Sequence, residues 1–269
     1  MGNKIKYLIL SSFFMMAVAE GQVYLPAFRI EIWRDTLCIE EPMVLKCWLV
    51  NNNNVPIKVW DKMAVSLITY GYINFYLISK KDTTQYKIGI HDNSRQLPSF
   101  EIPAIDSLYW YSILAWHNFV CTPIRNLSPG QFEIYGEYML TVKDILADSF
   151  CFPVIRSNEV SFYAVGIPDS ERTIYDEWIP LTHDYFWWGE RFERCWVRKD
   201  YNETCKRVAE TKSRFAIYAH YIYCKSTGDK KAMQEFLNKY PQAPLSEMVE
   251  FMLDRDKARK KYPFNAFAR

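Results

Sequence analysis

The side chains of this 269-residue sequence most able to bind or react are four histidines, seven cysteines and a run of aromatic rings between positions 178 and 196. His91, His117, His183 and His220 form no His-Glu-x-x-His pair, so a metalloprotease centre is not expected. His117 and Cys121 stand four apart and share a face, but two ligands fall short of a zinc site, and no metal is assigned. The cysteines are Cys38, Cys47, Cys121, Cys151, Cys195, Cys205 and Cys224, and no two have the Cys-x-x-Cys spacing of zinc ribbons or redox motifs. An odd number leaves at least one thiol free or paired between chains. Cys195 and Cys205 flank a short polar stretch and are the pair expected to bridge, closing a loop of about ten residues. No Gly-x-Ser-x-Gly elbow, P-loop or dinucleotide fingerprint occurs, so no cofactor and no catalytic residue are assigned. Acidic pairs such as Asp184 and Glu190, or Asp144 and Asp148, are expected by chance among 31 acidic residues.

The aromatic run is the most unusual local composition: Tyr185-Phe186-Trp187-Trp188-Gly189-Glu190-Arg191-Phe192, with Trp178 before it and Trp196 after it. Flat rings beside charges stack on sugars or line a peptide groove. Trp178, Tyr185, Trp187 and Trp188 are therefore the binding candidates. Such large apolar payloads also favour burial, and most of these rings are expected to seal a junction between two modules. Trp187 and Trp188 are adjacent and cannot face the same way, so one is expected inside and the other as a ligand platform.

The elements that would position them fall into two regions. Up to about residue 166 the pattern is of short strands. Phe28, Ile30 and Ile32 alternate with Arg29, Glu31 and Trp33, and Met43–Val50 is an apolar run ending in the turn signal Asn51-Asn52-Asn53-Asn54. Ile73–Ile78 and Tyr86–Ile90 flank Lys80-Lys81-Asp82-Thr83, as a hairpin would. Leu108–Val120 is rich in aromatic and β-branched residues, a second alternation runs through Tyr138, Leu140 and Val142, and Val160, Phe162 and Ala164 close the series. Strands at roughly ten-residue intervals point to an antiparallel sandwich. The turn Leu127-Ser128-Pro129-Gly130, followed by Gly136 two residues before Tyr138, resembles the tyrosine corner of immunoglobulin-like domains. That resemblance implies a sandwich over 24–166 in which Gly136 and Tyr138 are structural residues.

After Gly166-Ile167-Pro168-Asp169 the period changes. Val208, Phe215, Tyr218, Ala219 and Ile222 predict a helix over Lys206–Lys225, ended by Gly228. Asp229 is expected to cap a second helix with Ala232, Met233, Phe236, Leu237 and Tyr240 on its apolar face. Ser246 is expected to cap a third, running to about Lys260. Ala232, Phe236, Tyr240-Pro241 and Leu245-Ser246 are similar to one tetratricopeptide repeat, and imply a TPR-like helical region over 170–262 packed on the sandwich.

The N-terminus supplies an address. Lys4 and Lys6 precede a run of about a dozen apolar residues from Tyr7, and Ala17-Val18-Ala19 has small residues at −3 and −1, the pattern of a signal peptide cut after Ala19. No later stretch reaches the ~20 apolar residues of a spanning helix, so no transmembrane segment is expected in the mature chain. Lys and Arg are dispersed and the formal net charge is +2, which excludes a nucleic-acid footprint. The expected class is α+β, an N-terminal all-β sandwich followed by a small all-α region. The expected function is that of a periplasmic or extracellular, non-enzymatic module that contacts another exported or envelope protein, or a glycan. The alternative is a secreted hydrolase whose site the sequence does not display.

Overall fold

A computed structural model describes residues 25–59, 73–90, 100–114, 128–139, 142–144, 149–151, 153–177 and 201–265. The strands are β1 (Ala27–Ile32), β2 (Thr36–Cys38), β3 (Met43–Asn51), β4 (Ile57–Val59), β5 (Ile73–Ser79), β6 (Gln85–Ile90), β7 (Phe100–Ile102), β8 (Asp106–Leu114), β9 (Gly130–Met139), β10 (Val142–Asp144), β11 (Ser149–Cys151), β12 (Val154–Arg156) and β13 (Val160–Val165). The helices are α1 (Tyr201–Ala209), α2 (Ala216–Thr227), α3 (Lys230–Lys239), α4 (Pro244–Leu253) and α5 (Arg255–Lys261). The protein is α+β.

Period-two burial writes the strands. In β3, Leu45, Cys47, Leu49 and Asn51 are buried, while Lys46, Trp48 and Val50 are half-buried on the opposite face. β3 is the centre of a three-stranded antiparallel sheet, β1-β3-β8, that sets Lys46 opposite Tyr111 and Trp48 opposite Tyr109. A larger mixed sheet runs β2-β13-β9-β5-β6, with β12 added on β9 and β13 parallel to β2. Phe28, Leu45, Leu49 and Leu108 from the first sheet share one core with Phe75, Leu77, Phe132 and Phe162 from the second. The two sheets therefore pack face to face. Asn51, expected in a turn, is the last residue of β3. Its side chain accepts from the Asn53 amide at 2.9 Å and donates to the Val55 carbonyl at 2.8 Å, which folds the turn that follows.

The helices lie on the outer face of the three-stranded sheet. Val44 of β3 is part of the helical core with Val208, Phe215, Ile222 and Phe236, and Trp33, Tyr111 and Ile113 pack against it. Among the described residues, these sheet-borne side chains form the seal. The run Trp178–Trp196, the expected seal, lies outside the described residues. No described helix is long and apolar enough to cross a membrane.

Two expected helices are each divided in two. The helix predicted over Lys206–Lys225 ends at Ala209 and restarts at Ala216, because the Thr211 hydroxyl donates to the Val208 carbonyl and closes the first helix. The helix expected to run to Lys260 ends at Leu253. Asp254 then caps α5 by accepting from the Lys257 amide at 3.0 Å. Ser246 is inside α4, its hydroxyl bonded back to the Tyr240 carbonyl, and Ala243 is the N-cap. Asp229 does cap α3, accepting from Lys231 and Ala232, and Gly228 ends α2 at φ 67°, where only glycine is unstrained.

Both margins of the three-stranded sheet are engaged by other parts of the chain. Asn158 mimics a strand on β1, accepting from the Ile30 amide at 2.9 Å and donating to its carbonyl at 3.0 Å. On β8, the Tyr109 amide donates to the Phe264 carbonyl at 2.9 Å, and Tyr109 and Asn265 form a parallel bridge.

Candidate functional site at the seam of sheet and helices

Two buried carboxylates fasten the helices to the sheets, and a cleft opens beside each. Glu41 follows Glu40, whose φ of 71° is left-handed and strained for a residue with a side chain. The turn is held by what Glu41 gains. The carboxylate is fully buried; Oε1 accepts from Arg34 Nη1 at 2.6 Å and from the Tyr218 hydroxyl at 3.1 Å, and Oε2 from the Cys38 amide at 3.0 Å. Arg214 Nη1 stands 3.5 Å from Oε2. Arg214 sits in the turn between α1 and α2, and Tyr218 is on α2, so a single carboxylate joins the end of β2 to the helix layer. Burial, and then the Glu41 charge, push the Tyr218 hydroxyl well above its usual range, so it stays a donor. Burial likewise pushes the Cys38 thiol up to about 11. Glu171 extends the network, accepting from the Ser213 hydroxyl at 2.6 Å and lying 3.7 Å from Arg214 Nε.

Glu247, on α4, does the same at β8. Its Oε1 accepts from the Tyr109 hydroxyl at 2.6 Å and from Asn265 Nδ2 at 2.7 Å, and its Oε2 from the Tyr111 hydroxyl at 3.2 Å. Burial and the neighbouring carboxylate hold both tyrosines protonated far into the alkaline range. Lys46 lies 4.1 Å above the Trp48 ring and 4.0 Å above that of Tyr109, covering the same face.

The larger cleft, about 520 Å³, is lined by Trp33, Arg34, Lys212, Arg214, Lys239 and Tyr240. The smaller, about 210 Å³, lies over Tyr111 and Glu247. Pro241, Gln242 and Ala243, which join α3 to α4, border both. The Arg34 guanidinium stacks 4.2 Å over the Trp33 ring, which fixes the planar group at the cleft wall. The larger cleft thus presents aromatic and cationic groups on a scaffold already ordered from behind by Glu41.

The sequence patterns place Trp33, Tyr218 and Tyr240 on a strand or a helix face and mark none of these residues as a site. Trp178, Tyr185, Trp187, Trp188 and Cys195 lie outside the described residues, as do His91, His117, His183 and Cys121. Cys205 is a buried free thiol in α1 among the apolar side chains of the helical core, and burial pushes it up to about 12. Gly136 and Tyr138 lie within β9 rather than ahead of it, because residues 130–138 already pair with β13 and β5. The Tyr138 ring nonetheless reaches across to the other sheet, 5.8 Å from Phe28 and 5.9 Å from Trp110. His220 is buried in α2 with Nε2 3.1 Å from the Ala232 carbonyl. Among the described residues no three His, Cys, Asp or Glu side chains are grouped to hold a metal.

No family model matches the chain, and no curated protein matches it. Solved structures match only loosely. The sporulation control protein Spo0M from Bacillus subtilis aligns at 8% identity and a TM-score of 0.30, over 59% of this chain and 56% of that one. A β-glucosidase from Erythrobacter marinus aligns at 8% identity and 0.31, over 52% and 16%. The CARDB domain of a Pyrococcus furiosus protein aligns at 7% identity and 0.26, over 54% and 99%. The chain thus spans about half the length of the sporulation protein, and likenesses this slight assign neither fold family nor function.

Proposed function

We propose that the chain is an exported, non-enzymatic interaction module. An immunoglobulin-like sandwich carries a tetratricopeptide-like helical layer, and the seam between them receives part of a protein or glycan partner. The observation that carries the reading is the larger cleft. Its walls come from separate segments, Trp33-Arg34, the α1–α2 turn and the end of α3, and the buried Glu41 network sets their geometry before any partner arrives. A site ordered in advance spares the partner the entropy of arranging it. Aromatic rings with arginine are also the side chains most often found at the energetic centre of interfaces. The charged start, apolar run and Ala17-Val18-Ala19 support export.

The test passes the exported fraction of the producing cell over the immobilised protein and identifies what is retained by mass, alongside a glycan array. Gln242 is exposed and borders both clefts, so Gln242→Trp should fill their mouths without altering the fold. The expected result is a partner held by the wild type and released by the variant. Retention unaffected by Gln242→Trp, or turnover of ester, peptide or glycoside substrates by the purified chain, refutes the proposal.

A further inference from the structure

The larger cleft carries positive charge that its own scaffold leaves uncompensated. Arg34, Lys212, Arg214 and Lys239 line it, and no acidic residue does. Two carboxylates reach these cations from behind: Glu41 meets Arg34 and Arg214, and Glu171 meets Arg214. Four positive charges against two negative leave a balance of +2 at the wall. Lys212 is exposed and makes no ion pair among the described residues. Lys239 Nζ donates to a neutral group, the Ala209 carbonyl, at 2.8 Å. Arg214 Nε is buried with no hydrogen-bond partner. Two helices also begin here. α2 starts at Ala216 with Phe215 as its N-cap, and α4 at Pro244 with Ala243 as its N-cap, and neither has a side-chain cap. The start of α2 adds about half a positive charge, while Glu247 in the first turn of α4 offsets that of α4.

We infer that the cleft binds a tetrahedral oxyanion, a phosphate or sulfate group, as the charged part of its ligand. The inference rests on this cleft being the docking site proposed above. The donors decide the class. Two guanidinium groups and two ammonium groups from three separate segments line one cleft, a number of donors that suits three or four acceptor oxygens better than the two coplanar oxygens of a carboxylate. The chemistry is the same whether the oxyanion is free or borne on a sugar.

Titration calorimetry of the full chain distinguishes the two sources, using inorganic phosphate, inorganic sulfate, dextran sulfate and unsulfated dextran. Dextran sulfate binding with no heat from the inorganic ions assigns a glycan-borne group. Saturable binding of phosphate or sulfate alone assigns the free ion. In either case Lys212→Glu is expected to weaken binding by about tenfold, with a parallel loss at higher salt. Lys239→Gln, which keeps a donor for the Ala209 carbonyl, should weaken it less. Lys230→Glu, at an exposed position in α3 that does not line the cleft, should leave it unchanged. Equal losses in Lys212→Glu and Lys230→Glu would reduce the effect to diffuse attraction and overturn the inference, as would silence from all four probes. A partner released by Gln242→Trp but indifferent to salt and to Lys212→Glu would overturn the oxyanion and leave the docking cleft standing. Indifference to all three overturns both.

Discussion

Glu247→Ala should be among the most damaging single substitutions at the seam. It removes the acceptor from three donors at once, the Tyr109 and Tyr111 hydroxyls and Asn265 Nδ2. A hydrogen bond to a charged group is worth ~1.5–3 kcal/mol, and a buried donor left without a partner costs a similar amount. Tyr111 is half-buried and borders the smaller cleft, so water can replace its partner. Tyr109 and Asn265 are buried and count in full. Two such losses give about 3–6 kcal/mol, reduced where water enters the space the side chain leaves. The expected cost is ~3–4 kcal/mol, a large share of the ~5–15 kcal/mol that holds a domain folded. Urea unfolding followed by tryptophan fluorescence measures it. A double-mutant cycle with Tyr109→Phe should return a coupling of ~1.5–3 kcal/mol, because that phenol and that carboxylate are direct partners. Glu247→Gln keeps an acceptor and should lose less than Glu247→Ala. A cost below ~1 kcal/mol for Glu247→Ala, or an additive cycle, would show that α4 is held by apolar packing and that the polar fastening contributes nothing.

Gly136→Ala should destabilise by ~1–3 kcal/mol through overpacking, since a Cβ there would stand 2.7 Å from Phe28 Cε1, whose ring is confined against Trp110; Phe28→Leu in the same chain should recover part of the loss in a thermal melt. His220 is held below its ordinary 6.5, first by burial, so the unfolded chain takes up this proton before the folded one. Its contribution is therefore complete above pH 6.5 and declines as pH falls below that value. Lys239 opposes the proton, while Glu235 and the Ala232 carbonyl favour it. His220→Gln should flatten the stability profile between pH 6.5 and 5, and an unchanged slope would reject the assignment. The Cys38 thiol is pushed to about 11, and those of Cys47, Cys205 and Cys224 to about 12, by burial. All four should resist alkylation at pH 8 until urea unfolds the chain, whereas rapid labelling of the folded protein would contradict their burial.

What was legible in the sequence is what local rules govern. Alternation located β1 and β13, an apolar run ending in four asparagines located β3, a charged turn located β5 and β6, and the Gly228-Asp229 pair marked the end of one helix and the cap of the next, because each depends on a few neighbouring residues. The hairpin of β5 and β6 is likewise a short-range event. The divisions at 210–215 and at Asp254 were missed because both flanks keep a helical apolar period, and the break is made by single side-chain bonds from Thr211 and Asp254. The seam was not legible at all. Glu41 and Tyr218 are 177 positions apart, and Tyr109 and Glu247 are 138 apart. Nothing in either segment alone announces the partner. A carboxylate pair followed by proline within an apolar stretch, Ile39-Glu40-Glu41-Pro42-Met43, was the one local oddity that could have drawn attention. Composition drew attention to the aromatic run instead, while Trp33, just after β1, and Tyr109 and Tyr111 of β8 are rings that meet the described helices.

The engagement of both sheet margins by Asn158 and by Phe264-Asn265 has a consequence for how copies of the chain can meet. An unpaired margin is a template on which a second molecule can extend the sheet, and repetition of that step builds fibres. Here each margin of the three-stranded sheet is already occupied at mid-strand, on one side by a side chain imitating a peptide group and on the other by residues from beyond the last helix. Polymerisation through this sheet must first displace part of the chain itself. The segment after α5 thus acts as a guard against growth of the sheet, a role separate from its bond to Glu247.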